Sequence, residues 1–445
     1  MSLSRSKLHP YQNEMVAKAL AIPNAGLFME PGLGKSITAL TTIVDSPPGK
    51  TLVIAPLRVA ESVWAQEAAK WEHTAHLRIA KIMGSAKQRL AALESDADIY
   101  LTNVDNVAWL VENWIEKFDY LIVDESSRFK DPSTKRFKAL KKVIRQFKKV
   151  LIMTGTPTPQ GYGDLWAQVG LLDRGARLET SLTKFRQTYM EPEAKNWHTN
   201  TVYKWKLKQG AADVIEKLIA DICFSLKAED YLQLPKLTNL YHNIVLPGDV
   251  MKKYKELKDD MVTRIKGEEI TAVSAAVLSN KLLQFTSGMV YDEERNQNFV
   301  HDTKLDYLES IIEESSEPTL IFYHYKHSLE RLLARFSAAE ILAPDNMDKW
   351  RSGLIKIMLA HPMSGGIGLN LQCNTGKLAN MVWYDLPWSS ENYIQANARI
   401  YRQGQEKPVV VHHLLAKDTI DHHVVNVLDG KINLQDALLN SLKSG

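Results

Sequence analysis

Apolar, β-branched runs recur at regular intervals in the first half of this sequence, and they constrain its fold more than any other feature. Helical patterns separate the runs, and polar residues follow each of them. Continuous apolar strands that alternate with helices are typical of a parallel sheet buried on both faces. The predicted strands are Gly26–Met29, Thr51–Ala55, Ile99–Thr102, Tyr120–Val123 and Val150–Thr154. We therefore predict an α/β fold with its ligand site at the carboxyl ends of the strands.

A second alternating set fills the other half of the chain. Its predicted strands are Asn239–Leu246, Thr319–Tyr323, Leu354–Ala360, Met381–Tyr384 and Val409–Leu415. A chain of 445 residues is long enough for two domains of roughly 200 residues each. The polar stretch Leu226–Lys236 ends in Leu-Pro and is predicted to be a hinge. The predicted domains are residues 1–225 and 226–445, each a mainly parallel sheet with helices on both faces.

A glycine-rich stretch, Glu30–Ser36, lies between the first predicted strand and a predicted helix, Ile37–Val44. Gly32 and Gly34 allow backbone N–H groups to turn toward an anion, and the helix N-terminus adds partial positive charge. This arrangement is typical of a phosphate-binding loop.

In such a loop, Lys35 reaches the β- and γ-phosphates of a nucleotide, and the Ser36 hydroxyl binds Mg²⁺. Met29 stands where the strict pattern has glycine, so the match is incomplete. The alternative interpretation is a glycine-rich turn with an exposed lysine.

Two adjacent carboxylates, Asp124 and Glu125, follow an apolar strand. Two carboxylates at the end of a buried strand cost free energy of folding, which favours a functional role for them. In a phosphoryl-transfer site the aspartate holds Mg²⁺, and the glutamate orients and deprotonates the attacking water. The alternative is an acidic turn that caps the next helix.

The second half carries a glycine-rich turn, Ser364–Leu371, and a basic segment, Gln395–Gln405. Glycines in the turn permit close approach to a phosphate or ribose. Arg399 and Arg402 are three residues apart, so we predict that they share one face of a helical turn and bind a polyphosphate. The alternative is a pair of surface arginines.

Composition limits how the chain can bind nucleic acid. The formal net charge is only +3, so any such contact needs a local basic surface. Two candidates are the basic helix Ser133–Phe147 and the aromatic, basic hairpin Glu191–Gln209, although each also fits an ordinary surface element. No apolar run approaches ~18 residues, and the N-terminus lacks an apolar signal core. We expect no membrane association and a cytoplasmic location, that of the host cell if the protein is viral.

Taken in order, the motifs resemble the Swi/Snf-related branch of the superfamily 2 helicase-like ATPases, over about residues 8–425. The chain looks like the compact form found in bacteriophages and prophages. The residues that carry the resemblance are Leu8–Gln12, Gly32–Ser36, Ile54–Pro56, Asp124-Glu125, Thr154–Pro157, Gly365–Leu371 and Gln395–Gln405.

The resemblance implies two RecA-like lobes with ATP in the cleft between them, ATP and Mg²⁺ as cofactors, and nucleic acid, most of all double-stranded DNA, as the partner. It implies that Gln12 reads adenine and that Thr154 and Thr156 couple the ATP state to lobe closure. The resemblance also implies which residues form each site. The catalytic residues would be Lys35, Asp124, Glu125, Arg399 and Arg402, and Mg²⁺ would be bound by Ser36 and Asp124. The nucleotide would be bound by Gln12, Gly32, Gly34, Lys35, Ser36 and Gly368, and nucleic acid would be contacted by Arg58, Thr102, Asn103, Lys326 and Ser364.

Three positions depart from the family pattern. Ser127 stands where the family usually has the histidine of Asp-Glu-x-His, so a histidine-mediated link from the ATP site is absent. Ala398 replaces an Asp or Gly, and His361-Pro362 stands where a Ser-Thr pair is common. All phosphate-handling groups are retained, so we expect activity.

The expected function is a DNA-stimulated ATPase that translocates along a duplex. One alternative is a strand-separating or branch-migrating helicase acting on DNA or RNA. The other is a nucleic-acid-binding scaffold with weak ATPase activity.

Overall fold

A computed structural model describes residues 2–113, 115–159, 161–195, 202–232, 234–266, 272–315, 317–365, 370–373, 380–402 and 405–429. The chain divides into two compact units, the first of which ends at Leu232. The predicted boundary at residues 225 and 226 falls within a strand, Cys223–Leu226, that pairs with the first strand of the chain. This strand therefore belongs to the first unit.

The first unit contains nine strands and ten α-helices among its described residues. The strands are β1 (Asn24–Met29), β2 (Thr51–Ala55), β3 (Ile79–Ile82), β4 (Ile99–Asn103), β5 (Tyr120–Asp124), β6 (Lys149–Thr154), β7 (Met190–Lys195), β8 (Val202–Leu207) and β9 (Cys223–Leu226). The helices are α1 (Pro10–Ala21), α2 (Lys35–Asp45), α3 (Trp64–Lys70), α4 (Ala86–Glu94), α5 (Val107–Asn113), α6 (Lys135–Val143), α7 (Gly163–Asp173), α8 (Leu182–Tyr189), α9 (Ala211–Ile219) and α10 (Ala228–Tyr231). Short 3₁₀ turns cover Arg5–Lys7, Val104–Asn106, Ile115–Lys117, Ser126–Phe129 and Ile144–Gln146, and a π-helical turn covers Val59–Val63.

Seven of these strands form one sheet in the order β3-β4-β2-β5-β6-β1-β9, and every neighbouring pair is parallel. Successive residues of the interior strand β2 point to opposite faces, yet all five are buried. The sheet is thus covered on both sides, which explains why its strands are continuously apolar. The predicted parallel α/β architecture is confirmed. The strands β7 and β8 form a separate antiparallel hairpin, as predicted.

The second unit contains eight strands and eight α-helices among its described residues. The strands are β10 (Leu237–Ile244), β11 (Met289–Tyr291), β12 (Gln297–Phe299), β13 (Thr319–Phe322), β14 (Ala339–Ile341), β15 (Ile357–Ala360), β16 (Asn380–Trp383) and β17 (Val409–Ala416). The helices are α11 (Gly248–Lys266), α12 (Ala272–Thr286), α13 (Thr303–Glu314), α14 (Lys326–Arg335), α15 (Met347–Arg351), α16 (Pro362–Gly365), α17 (Ser390–Asn397) and α18 (Ile420–Leu428), with a 3₁₀ turn at Pro344–Asn346.

Six strands of this unit form a second sheet in the order β10-β17-β16-β13-β15-β14, again with every neighbouring pair parallel. The second predicted parallel sheet is also confirmed. Strands β3, β9 and β14 lie at the edges of their sheets and were not predicted, because they are short and partly exposed and so lack a continuous apolar run. None of the helices in the described ranges is long and apolar enough to cross a membrane.

The core of the second unit holds a buried ion pair. The Lys304 ammonium lies 2.6 Å from Oδ2 of Asp421, and the two side chains are 2% and 1% exposed. The same carboxylate accepts hydrogen bonds from the Thr286 hydroxyl at 2.9 Å and from the Ala416 backbone N–H at 2.7 Å. The pair therefore joins α13 and α18 to the ends of α12 and β17.

Candidate active site

The phosphate-loop motif follows β1 and leads directly into α2. Gly32 and Gly34 have φ angles of 91° and 81°, which residues with a side chain rarely adopt. A Cβ atom on Gly34 would also collide with the amide nitrogen of Gln12. Lys35 and Ser36 are the first two residues of α2, so they lie at a helix N-terminus, where the backbone favours anions.

The Lys35 ammonium donates a hydrogen bond to the Met29 carbonyl oxygen at 2.9 Å. A Cβ atom on Gly155 would lie 3.3 Å from this ammonium and 2.8 Å from Cδ of Pro31. The loop after β6 thus approaches the phosphate loop so closely that only glycine fits without displacement.

Gln12 ties α1 to the phosphate loop. Its side chain is 4% exposed; the amide nitrogen donates to the Leu33 carbonyl oxygen at 3.1 Å, and the amide oxygen accepts from the His9 backbone N–H at 2.9 Å. A glutamine amide has two N–H donors and two acceptor lone pairs. One of each is left for a ligand within the described part of the chain, so adenine recognition by Gln12 stays a prediction that this geometry permits.

Asp124 ends β5 and is 4% exposed. The indole N–H of Trp64 donates to its Oδ2 at 2.9 Å. Burial and the neighbouring Glu125 carboxylate raise the pKa of Asp124 to about 6, while Trp64 and Lys35 oppose that rise. A buried carboxylate of this kind is stabilised by a nearby cation. Carboxylate and hydroxyl oxygens are ligands that suit Mg²⁺, and binding of Mg²⁺ by Asp124 and Ser36 stays a prediction.

Glu125 has a left-handed backbone, with φ 59° and ψ 61°, which is unusual for a residue with a Cβ atom. Its Oε2 accepts a hydrogen bond from the Thr154 hydroxyl at 3.1 Å, and the Thr154 hydroxyl accepts one from the Thr156 backbone N–H at 3.1 Å. The Thr156 hydroxyl is buried without a partner among the residues described. Both predicted coupling threonines therefore belong to the group around this carboxylate, and their coupling role stays a prediction.

A second connection joins the loops after β5 and β6. The Ser126 hydroxyl donates to the amide oxygen of Gln168 at 2.7 Å, and the Gln168 amide nitrogen donates to the Pro157 carbonyl oxygen at 2.7 Å. Ser126 and Gln168 are both 0% exposed. Sequence analysis indicated no link at this place, because Ser127 replaces the expected histidine.

The predicted arginines lie in the second unit. Helix α17 ends at Asn397, and Arg399 and Arg402 lie in the hydrogen-bonded turn that follows it. In that turn the Arg399 backbone N–H donates to the Ala396 carbonyl oxygen at 3.1 Å, and the Tyr401 backbone N–H donates to the Asn397 carbonyl oxygen at 3.0 Å. That the two arginines share one face of this turn stays a prediction. The Arg402 carbonyl oxygen accepts a hydrogen bond from the side chain of Gln372 at 3.1 Å, which holds this turn against the segment after the glycine-rich motif. Gly368 lies outside the described residues. The phosphate-binding roles of all three stay predictions.

Among the predicted nucleic-acid contacts, Thr102 does not fit its assigned role. It is 0% exposed, and its hydroxyl donates to the Ile82 carbonyl oxygen at 3.2 Å, so it supports the pairing of β3 with β4. Asn103 is half-buried at the end of β4, and its side chain accepts from the Asn106 backbone N–H at 3.0 Å. Arg58 is half-buried just before the π-helical turn. Asn103 and Arg58 remain candidates.

The other two predicted contacts belong to the second unit. Lys326 begins α14, and its side chain is 80% exposed and 3.5 Å from Oε1 of Glu330. Ser364 lies in α16, and its side chain falls outside the described part. In the aromatic hairpin, Trp205 lies under the guanidinium of Arg186 at 5.4 Å, and Trp197 is not among the described residues.

Sequence analysis missed two residues of this site. Trp64 lies in the helical pattern Val59–Lys70 between two of the predicted strands, and an indole on a helix is typical of core packing. Its contact with Asp124 spans 60 positions and leaves no local pattern. Gln168 lies in the otherwise apolar run Leu165–Leu172, and this single amide is a signal that would have identified it.

Comparison with known proteins agrees with these features. The sequence matches the family described as SNF2-related domain over residues 11–301. Protein p41 of Acyrthosiphon pisum secondary endosymbiont phage 1 is 34% identical over 461 aligned residues, which cover 98% of each chain. The uncharacterized ATP-dependent helicase MG018 of Mycoplasma genitalium is 26% identical over 96% of this chain and 42% of its own length.

Two further similarities have lower sequence identity. A Bacillus subtilis protein named as an ATP-dependent helicase/translocase, YwqA, is 24% identical over 98% of this chain and 49% of its own length. This chain thus spans less than half the length of both bacterial relatives. A solved structure described as the Sulfolobus solfataricus SWI2/SNF2 ATPase core in complex with dsDNA is 22% identical, covers 95% of this chain and 91% of its own, and has a TM-score of 0.44. The family match and the full-length similarity to the phage protein establish that the chain belongs to the SNF2-related family of helicase-like ATPases.

Proposed function

We propose that this chain is a DNA-dependent ATPase that translocates along double-stranded DNA. The observation that carries the proposal is that two sets of candidate residues share one edge of the first sheet. Strands β1, β5 and β6 end at the phosphate loop, at the Asp-Glu pair and at Thr154, while β2 and β4 end beside Arg58 and at Asn103. Parallel strands present their carboxyl ends at the same edge. A nucleic acid bound there would lie next to the ATP site.

ATP and Mg²⁺ are the proposed cofactors. Lys35 would hold the β- and γ-phosphates, and Ser36 and Asp124 would hold Mg²⁺, which neutralises charge on the phosphates. Glu125 would orient the attacking water and accept its proton. The arginines of the second unit, which follow α17, would stabilise the charge that develops during phosphoryl transfer.

The names of two relatives support movement on nucleic acid, since one is called a helicase and the other a helicase/translocase. Contacts made by Arg58, Asn103 and Lys326 would be mostly to backbone phosphates, so binding would not depend on base sequence. Two of these residues are cations, so we expect the affinity for duplex DNA to fall by at least about tenfold between roughly 50 and 200 mM salt. A flat salt dependence in a duplex-binding titration would contradict this part of the proposal.

Steady-state ATP hydrolysis tests the proposal when it is measured without nucleic acid and with duplex DNA, single-stranded DNA or structured RNA. We expect duplex DNA to stimulate turnover most. Preference for single strands, forks or RNA would favour a strand-separating helicase instead. Binding of duplex DNA with no hydrolysis under any of these conditions would favour the scaffold.

Trp64→Phe tests the proposed Mg²⁺ site. It removes the hydrogen bond to Asp124 but keeps an aromatic ring in the core. We expect the apparent Mg²⁺ affinity to weaken about tenfold, the equivalent of ~1.4 kcal/mol for one hydrogen bond to a charged group. Titration of ATP hydrolysis with Mg²⁺ measures this.

Trp71→Phe is the matched control, because the Trp71 indole N–H donates to a different carboxylate, Oε1 of Glu67, at 3.0 Å. Its Mg²⁺ titration should overlay that of the unmodified protein. Equal Mg²⁺ affinities for Trp64→Phe and the unmodified protein would show that Trp64 does not hold the metal ligand.

A further inference from the structure

Gln168 is a polar residue on a helix that is otherwise buried among apolar side chains. The buried neighbours on α7 are Leu165, Trp166, Ala167, Val169, Leu171 and Leu172, and Gln168 itself is 0% exposed. A leucine would fill a similar volume without the cost of burying an amide. The position therefore has a use for its hydrogen bonds.

Every N–H of the amide has a partner. The nitrogen donates to the carbonyl oxygens of Pro157 at 2.7 Å and of Asp164 at 2.9 Å, and the oxygen accepts from the Ser126 hydroxyl at 2.7 Å. Asp164 lies one turn earlier on α7, so the bond to it fixes the amide on its own helix. The other two bonds then tie the loop after β6 to the loop after β5.

This tie acts on the residue next to Ser126. Glu125 has a left-handed backbone, a conformation that a residue with a Cβ atom keeps only where its surroundings hold it. On one side Thr154 holds its carboxylate, and on the other Ser126 is held by Gln168. Replacing the Gln168 amide would remove this hydrogen bond from Ser126, the residue next to the strained Glu125.

We infer that Gln168 is a positioning residue for Glu125, and that through Ser126 it keeps the carboxylate in register with the Thr154–Pro157 loop. The connection joins the turn after β5 to the loop after β6 through a side chain of α7. The inference rests on the proposed function, because it takes Glu125 to be the group that orients the attacking water.

Gln168→Leu and Ser126→Ala test the inference. We expect each to lower kcat for ATP hydrolysis roughly tenfold and to leave the KM for ATP within about twofold, because misplacing a catalytic group affects the chemical step. The double variant should be no slower than Gln168→Leu within about twofold, because both changes break the same connection. Ser126→Ala removes only one oxygen atom and so provides a variant that changes the core little.

Val169→Ala is the matched control. Val169 is also 0% exposed on α7 but lies outside the hydrogen-bonded chain, so it should lower the melting temperature and leave kcat within about twofold. A lower melting temperature with unchanged kcat in Gln168→Leu would overturn the inference, as would losses that multiply in the double variant. Each ratio is measured with and without duplex DNA. Turnover of the unmodified protein with and without the duplex tests the proposed function. The ratios of variant to unmodified kcat test the inference, so the failure of one can be told from the failure of the other.

Discussion

Glu125→Gln should lower kcat for ATP hydrolysis by about 10³-fold, the usual contribution of a positioned general base. The amide keeps the size of the side chain and an oxygen that accepts the hydrogen bond from Thr154, now 3.1 Å from the carboxylate. The glutamine amide, unlike the glutamate carboxylate, is not basic enough to accept a proton from water. ATP binding should remain, because the phosphates are assigned to Lys35 and the phosphate loop. Single-turnover hydrolysis and equilibrium binding of a fluorescent ATP analogue measure the two effects separately.

Glu112→Gln, on an exposed position of α5 in the same unit, is the matched control and should leave kcat within about twofold. If Glu125→Gln kept more than about a tenth of kcat, the assignment of Glu125 as the base would be wrong.

Lys304→Met should destabilise the second unit by about 3–5 kcal/mol, because it leaves the Asp421 carboxylate buried without its cation. The two remaining donors, from Thr286 and the Ala416 backbone, do not neutralise the charge. Urea unfolding followed by a signal from the second unit measures the loss. Binding of ATP phosphates by the phosphate loop of the first unit should be unaffected at low urea, since that loop lies on other elements.

Lys252→Met provides the comparison. The Lys252 ammonium lies 3.8 Å from Glu256 on the exposed face of α11, and its loss should change stability by no more than about 0.5 kcal/mol. Equal effects of the two substitutions would contradict the ion-pair account. Lys304→Met combined with Asp421→Asn should recover part of the loss, because no buried charge is then left uncompensated.

Features that leave a local pattern were predictable from the sequence. They are both parallel sheets, which alternating apolar strands and helices indicate, and the positions of the phosphate-loop motif and the Asp-Glu pair at the carboxyl ends of strands. Thr102 shows the limit of that approach. A residue at the carboxyl end of a strand can point to either face of the sheet, and here the hydroxyl points to a neighbouring backbone carbonyl.

Contacts between distant segments were not predictable. The indole of Trp64 bonds to the end of β5 and the amide of Gln168 to the turn after it, through partners 60 and 42 positions away. The buried pair of Lys304 and Asp421 joins two helices that no motif connects. The end of α17 at Asn397 was not predictable for a related reason, because the turn that follows it bonds with the distant segment after the glycine-rich motif.

Displacement of a triplex-forming oligonucleotide from duplex DNA tests the central claim most directly. The third strand is placed downstream on an unbroken duplex, and its release is followed with ATP, without ATP, and with the Glu125→Gln variant. We predict ATP-dependent release by the unmodified protein, none by the variant, and no unwinding of a forked duplex under the same conditions. Failure to displace the third strand, together with ATP-driven unwinding of the fork, would contradict duplex translocation and favour a strand-separating helicase.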